Sequence, residues 1–219
     1  MLKNQLRIIA GQWRGRKLTF PDIKALRPTP DRVRETLFNW LAPNIQGARC
    51  LDLFAGSGAL GFEALSRGAA GVVLIENNPL AYNQLIANKQ LLKCQNAEIL
   101  KIDAKMYLEQ AKHPFDIIFL DPPFHQNLIP IFCNLLENSQ PLKQHSLIYI
   151  ESEIPLKSLK LPNHWEIIKQ SQAGQVSYGL AMVNDPPFEK GGLWHRRHSR
   201  ENGNLVHSSF RSRLSPGPE

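Results

Sequence analysis

An alternation of short apolar strands with helical stretches, beginning near residue 50, most constrains what this chain can become. Cys50–Phe54 is an apolar run broken only by Asp52, followed by a glycine-rich turn and a helical stretch through about Arg67. Gly71–Ile75 precedes a helix from about Pro79 to Leu92, and Ala97–Ile102 precedes the helical stretch Ala104–Ala111. Phe115–Leu120 and Leu147–Ile150 continue the series. Strands separated by helical segments of this length pair in parallel, with helices on both faces of the sheet. Trp165–Gln170 and Tyr178–Val183 stand too close for a crossover helix, so they are expected to form an antiparallel hairpin at one edge. The predicted class is α/β: a doubly wound, mostly parallel seven-stranded sheet of Rossmann-like type.

Ahead of this region, Arg7–Ala10 and Lys17–Phe20 are β-type runs flanking Gly11 and Gly15, which predicts an N-terminal β-hairpin with Trp13 covering it. The segment Arg27-Pro28-Thr29-Pro30 cannot be helical. Thr29 suits a helix cap with Pro30 at the first helical position. Val33, Leu37, Trp40 and Leu41 then share one helical face that ends before Pro43. Three parts are expected: a basic hairpin and helix over 1–43, the sheet domain over 44–184, and a tail over 185–219. The tail holds four Gly, four Pro, five Ser and three His without apolar periodicity, the pattern of a disordered extension.

The net charge of +7 is unevenly spread. Residues 1–35 carry nine Lys/Arg against three Asp/Glu (+6), residues 36–184 eleven against twelve (−1), and residues 185–219 six against four (+2). A near-neutral body with a basic arm is the footprint of an anionic partner, nucleic acid first. Arginine suits phosphate geometry, so Arg7, Arg14, Arg16, Lys17, Arg27, Arg32 and Arg34 are the candidate nucleic-acid contacts. No apolar run approaches the ~18–20 residues that span a bilayer, and Met1–Gly11 lacks the apolar core of a secretory signal. Cys50, Cys94 and Cys133 lie some forty residues apart, with neither metal-site spacing nor an even disulfide set. A soluble cytoplasmic protein without a membrane or metal partner is expected.

The turn after the first long strand reads Asp52-Leu-Phe-Ala-Gly56-Ser-Gly58-Ala-Leu-Gly61. Its glycines allow close backbone approach of a ligand to a helix N-terminus, a pattern that dinucleotide enzymes share. The acids around it discriminate. Asp52 would repel a diphosphate but suits a ligand carrying an ammonium and a sulfonium, as S-adenosylmethionine does. Glu76 ends the next strand, twenty residues after Gly56, where a ribose diol would sit. Asp103 ends the third, on the adenine side. Each acid alone is more often a plain strand-end or capping residue. At three successive strand ends they describe one ligand, with Phe54, Ala55, Gly56, Ser57, Gly58, Asn77 and Ala104 beside it.

Asp121-Pro122-Pro123-Phe124 follows the fourth strand. Two prolines remove two donors and stiffen the turn, leaving acceptors outward. Such a turn fits an exocyclic amine on a flat base: Asp121 and the Pro122 carbonyl accept its two hydrogens and Phe124 stacks on the ring. Holding both hydrogens turns the lone pair toward an incoming methyl group, so positioning and electrostatics supply the catalysis. The same letters recur as Asp185-Pro186-Pro187-Phe188. An antiparallel final strand would deliver that copy to the opposite rim, so chemistry is assigned to Asp121 alone.

These stretches resemble one family, the bacterial small-subunit rRNA guanine-N2 methyltransferases that act on 16S rRNA. The likeness rests on Arg7-Ile-Ile-Ala-Gly-Gln-Trp-Arg-Gly-Arg-Lys, on Leu26-Arg-Pro-Thr-Pro-Asp-Arg-Val-Arg-Glu-Thr-Leu-Phe-Asn-Trp-Leu, and on Leu51-Asp-Leu-Phe-Ala-Gly-Ser-Gly-Ala-Leu-Gly. Leu120-Asp-Pro-Pro-Phe and Ala173-Gly-Gln-Val-Ser-Tyr-Gly continue it, over about residues 5–184. The resemblance implies a class I methyltransferase fold and methyl transfer from S-adenosylmethionine to N2 of one guanine, on assembled or nearly assembled small subunits; separately, a monomer is expected. It also implies a cofactor turn from Phe54 to Gly58, with Glu76 on the ribose, Asp103 on the adenine side and Asp121 to Phe124 in catalysis. An adenine-N6 methyltransferase, a dinucleotide oxidoreductase and a non-catalytic RNA-binding assembly factor are the competing readings. Asp52 and the lack of a hydride-transfer site disfavour the second, and the intact glycine and Asp121 turns disfavour the third.

Overall fold

The structure, a computed structural model, describes residues 4–23 and 28–184. The assignments made to Arg27, to the Asp185–Phe188 repeat and to the 185–219 tail lie outside the described residues. Chain order is β1 (Asn4–Arg7), β2 (Lys17–Phe20), α1 (Asp31–Leu41), β3 (Arg49–Asp52), α2 (Ala59–Ser66), β4 (Gly71–Ile75), α3 (Pro79–Leu91) and β5 (Ala97–Leu100). There follow α4 (Ala104–Gln110), β6 (Ile117–Leu120), α5 (Leu128–Glu137), β7 (Leu147–Ser152), β8 (Trp165–Ala173) and β9 (Val176–Val183).

β1 and β2 pair as a separate antiparallel ribbon, while the other seven strands form one sheet in the order β5-β4-β3-β6-β7-β9-β8. Neighbours from β5 through β7 are parallel, and β9 runs antiparallel to both β7 and β8. The expected α/β class with its edge hairpin therefore holds. Each central strand feeds alternate side chains to the two faces, which is why β4, β6 and β7 read as continuous apolar runs. Val72, Leu74, Ile117 and Phe119 join one core with Leu37 of α1, Phe62 of α2 and Leu85 of α3. Val73, Ile75, Ile118 and Leu120 join the other with Leu108 of α4 and Phe132 and Leu136 of α5.

Residues 1–43 were expected as a part of their own, but Leu6, Ile8, Leu18, Phe20, Val33 and Leu37 are buried in the same core as the sheet. The arm is built into the fold through its apolar face, with Trp13 half-buried against it. Its first strand lies earlier than expected, at Asn4–Arg7, because Gly11 to Arg16 form the turn that Arg7–Ala10 was expected to enter. Thr29 does not cap α1: the helix starts at Asp31, Pro30 occupies the cap position, and no side chain caps it. Helix α5 was not anticipated in the sequence. Pro130 lies in its first turn, where a missing N–H costs nothing, and Ile129, Phe132, Cys133 and Leu136 supply its buried face.

Candidate active site

The carboxyl ends of β4, β3, β6 and β7, adjacent in that order, each carry an acid: Glu76, Asp52, Asp121 and Glu151. Ligands of open α/β sheets bind along this rim. Asp52 closes β3 at 2% exposure and its Oδ2 accepts a hydrogen bond from the Gly61 N–H at 3.2 Å. Burial chiefly, and the charge of Glu76 in addition, push its carboxyl up to about 7 against the backbone N–H groups of Gly61 and Phe54. Glu76 ties the turn to the neighbouring strand, since Oε2 accepts from the Gly56 N–H at 2.9 Å and Oε1 from the Asn78 N–H at 2.7 Å.

The turn between them needs its glycines. Gly56 and Gly58 have φ of 50° and 78°. A Cβ on Gly58 would stand 2.6 Å from the Phe62 ring and 2.7 Å from Leu85. Ala55 donates its N–H to the Ile75 carbonyl at 2.9 Å, Ser57 is buried with its hydroxyl accepting from the Ala59 N–H at 3.3 Å, and Phe54 packs edge-on against Phe132. Asp103 caps α4, accepting from the Lys105 N–H at 2.9 Å and the Met106 N–H at 3.3 Å through Oδ1, with Ala104 buried behind it. Asn77 is exposed at the mouth of the turn, and Asn78 caps α3.

Asp121 follows β6, two residues beyond Phe119, which pairs with Asp52. Burial first, then the charges of Glu151 and Asp52, raise its carboxyl well above the ordinary carboxylate range; a hydrogen bond from the Thr29 hydroxyl, 3.4 Å from Oδ2, opposes them. Glu151 is raised too, by burial, and accepts from the Tyr149 hydroxyl at 2.7 Å. Pro122, Pro123 and Phe124 line a shallow open cleft together with Ser152, Ile154 and Leu159. The glycine turn after β3 and the Asp121 turn after β6 thus stand side by side on adjacent parallel strands.

Residues 6–182 match the family described as Conserved hypothetical protein 95. Ribosomal RNA small subunit methyltransferase D of Escherichia coli K12 is 53% identical over 176 residues, covering 80% of this chain and 89% of that protein. The protein of the same name from Haemophilus influenzae is 49% identical over 182 residues, 81% of this chain and 94% of its own length. The solved structure of Escherichia coli yhhF superposes with a TM-score of 0.78 at 51% identity, covering 84% of this chain and 100% of that one. The chain belongs to the ribosomal RNA small subunit methyltransferase D family.

Within this chain's basic arm the structure separates the expected nucleic-acid contacts. Arg7, Arg14, Arg16, Lys17 and Arg32 are exposed. Arg34 is not a surface contact: at 0% exposure it donates to Asp31 Oδ1 at 2.6 Å, the Arg7 carbonyl at 3.0 Å, the Thr29 carbonyl at 3.3 Å and Glu63 Oε2 at 3.5 Å. Its guanidinium fills an internal polar knot rather than facing solvent. Sequence reasoning also passed over Glu63, Thr29, Tyr149 and Glu151. A lone acid inside the apolar run of α2 signals Glu63, and the strand-end rule that found Asp52 and Glu76 applies equally to Glu151. For Thr29 the capping rule pointed elsewhere.

Proposed function

We propose that this methyltransferase of the rRNA small subunit methyltransferase D family methylates the exocyclic N2 amine of one guanine in 16S rRNA. Its substrate is the small ribosomal subunit or a late assembly intermediate, met in the cytoplasm by a monomer that needs no metal. S-adenosylmethionine is the cofactor, and when bound it supplies an electrophilic methyl group. The residues present fit it: Gly56 and Gly58 hold the turn at positive φ with Gly58 packed against Phe62 and Leu85, and Asp52 and Glu76 offer acids to a cationic, phosphate-free ligand. Phe54 to Gly58 would hold its body, Glu76 with Asn77 the ribose, and Asp103 with Ala104 the adenine side. Glu76 and Asp103 keep lone pairs for this beyond their backbone bonds.

The observation that carries the guanine reading is that Asp121 and Glu151 each follow by one residue the paired Leu120 and Ile150 and feel each other's charge, with Pro122 next in the chain. Guanine offers donors at both N1 and N2, whereas adenine offers a donor beside an acceptor, so Asp121 and Glu151 in their ionised forms, with the Pro122 carbonyl, would favour guanine. Asp121 and the Pro122 carbonyl would each take one amine hydrogen, Phe124 would stack on the base, and the cleft beside them would receive the extruded nucleotide. Arg7, Arg14, Arg16, Lys17 and Arg32 would take phosphates. The test is nucleoside mass spectrometry of 16S rRNA from cells with and without the gene. One N2-methylguanosine is expected to vanish and to return on incubation with purified protein, but not with Asp121→Ala. Loss of N6-methyladenosine instead would refute the guanine assignment.

A further inference from the structure

We propose that Thr29 is a positioning residue for the Asp121 carboxylate, and that Arg34 fixes it there by joining the basic arm to the catalytic turn. The inference rests on Asp121 being the group that holds the acceptor amine. Thr29 is 6% exposed, and its hydroxyl performs no capping; it reaches across ninety-two residues of sequence to Asp121 Oδ2. A hydroxyl has a single proton to donate. Spent on Oδ2, it fixes the carboxylate's rotation and leaves Oδ1 for the substrate.

The groups facing Asp121 make this donor matter. Glu151 on β7 and Asp52 on β3 are acids whose charge opposes its ionisation. Tyr149 on β7 directs its hydroxyl to Glu151, not to Asp121. Thr29, from the arm, is the side chain that favours the charged form.

Thr29 in turn is held by its carbonyl, which accepts from Arg34 Nε at 3.3 Å. The same guanidinium binds the Arg7 carbonyl, Asp31 and Glu63. Glu63 of α2 also accepts the N–H groups of Ile9 at 2.8 Å and Ala10 at 3.1 Å, and Arg67 Nε at 2.7 Å. One buried network therefore sets the hairpin, the Pro28–Pro30 segment and the orientation of the carboxylate together. Pulling on the arm is felt at Asp121.

The experiment compares full-length wild type, Thr29→Val, Thr29→Ser and Asp121→Ala on purified small subunits, measuring kcat, KM for S-adenosylmethionine and the pH profile of kcat. Valine keeps the shape and removes the donor. It is expected to lower kcat roughly tenfold, the worth of one lost hydrogen bond to a charged group, with KM for S-adenosylmethionine unchanged. Because the lost bond favoured the ionised carboxylate, the acidic limb of the profile should move to higher pH. Thr29→Ser should restore both rate and profile. An unchanged kcat and profile in Thr29→Val, or equal loss in the valine and serine variants, overturns the inference while leaving Asp121 in its role. Full activity in Asp121→Ala overturns that role, and this inference with it.

Discussion

At the scale of single residues, a carboxylate whose proton leaves near pH 7 makes the folded chain bind more protons than the unfolded one across the acid range. Asp52 is such a group: its value when solvated is 3.8 and in the fold it is about 7. Stability linked to Asp52 therefore falls as pH rises from about 4 to about 7 and is level above that. Asp52→Asn removes the penalty, so its melting temperature should exceed the wild type's by several degrees at pH 8 and match it at pH 4. The same variant should bind S-adenosylmethionine more weakly by calorimetry, because the acid's role is toward a cation. Gly58→Ala acts in the opposite sense on stability. It places a Cβ against Phe62 and Leu85 at a φ of 78°, which should cost about 1–3 kcal/mol in denaturant unfolding and abolish tight cofactor binding. Both acids and glycines were readable in the sequence because strand ends and tight turns announce themselves locally. Thr29 was not, because its partner lies ninety-two residues on, in the turn after β6, and the local rule for threonine before a helix competes with it.

Among whole elements, the β1–β2 hairpin shows how a charged arm can be rigid. Its turn is bolted to the end of α2: Gln12 donates its N–H to the Ser66 carbonyl at 2.8 Å, Trp13 donates its N–H to the Ser66 hydroxyl at 3.0 Å, and that hydroxyl donates to the Ala10 carbonyl. Gly11 makes the approach possible, since a Cβ there would lie 1.7 Å from the Ser66 carbonyl oxygen. Gly11→Ala should thus destabilise the fold by roughly 2 kcal/mol or more and weaken RNA binding even with every arginine in place. By contrast, Arg14→Ala with Arg16→Ala should leave the melting temperature alone. Each lost phosphate contact should shallow the log K against log[salt] slope for RNA binding by about 0.7–0.9; an unchanged slope would remove the arm from recognition. Amphipathic elements such as α1 showed in the sequence. Helix α5 escaped because Pro130 reads as a breaker unless its place in the first turn is known, and Arg34 because a helix face does not reveal that the hairpin closes over it.

For the whole molecule, topology was the most legible property: crossover lengths dictate parallel neighbours, and the short β8–β9 link dictates the antiparallel edge. Burial of the three cysteines follows from the same layers. Cys50, Cys94 and Cys133 are all inside and all free, and burial raises each thiol, to about 12 for Cys133. Native protein should accordingly resist a thiol reagent at pH 8 and release three equivalents only on unfolding, so that labelling rate reports global opening.

The strand order also imposes a timetable on synthesis. β3, β4 and β5 are consecutive in the chain and adjacent in the sheet, and the hairpin's anchor Glu63 lies only fifty-four residues from Ile9. The pairing of β3, β4 and β5 needs no later residue, whereas the turn after β3 is completed only when Phe119 accepts the Leu53 N–H and Phe132 meets Phe54. β6 and β7 then add on the other flank of β3, and Asp121 is polymerised ninety-two residues after Thr29, roughly 5–20 s later at ordinary ribosomal elongation rates.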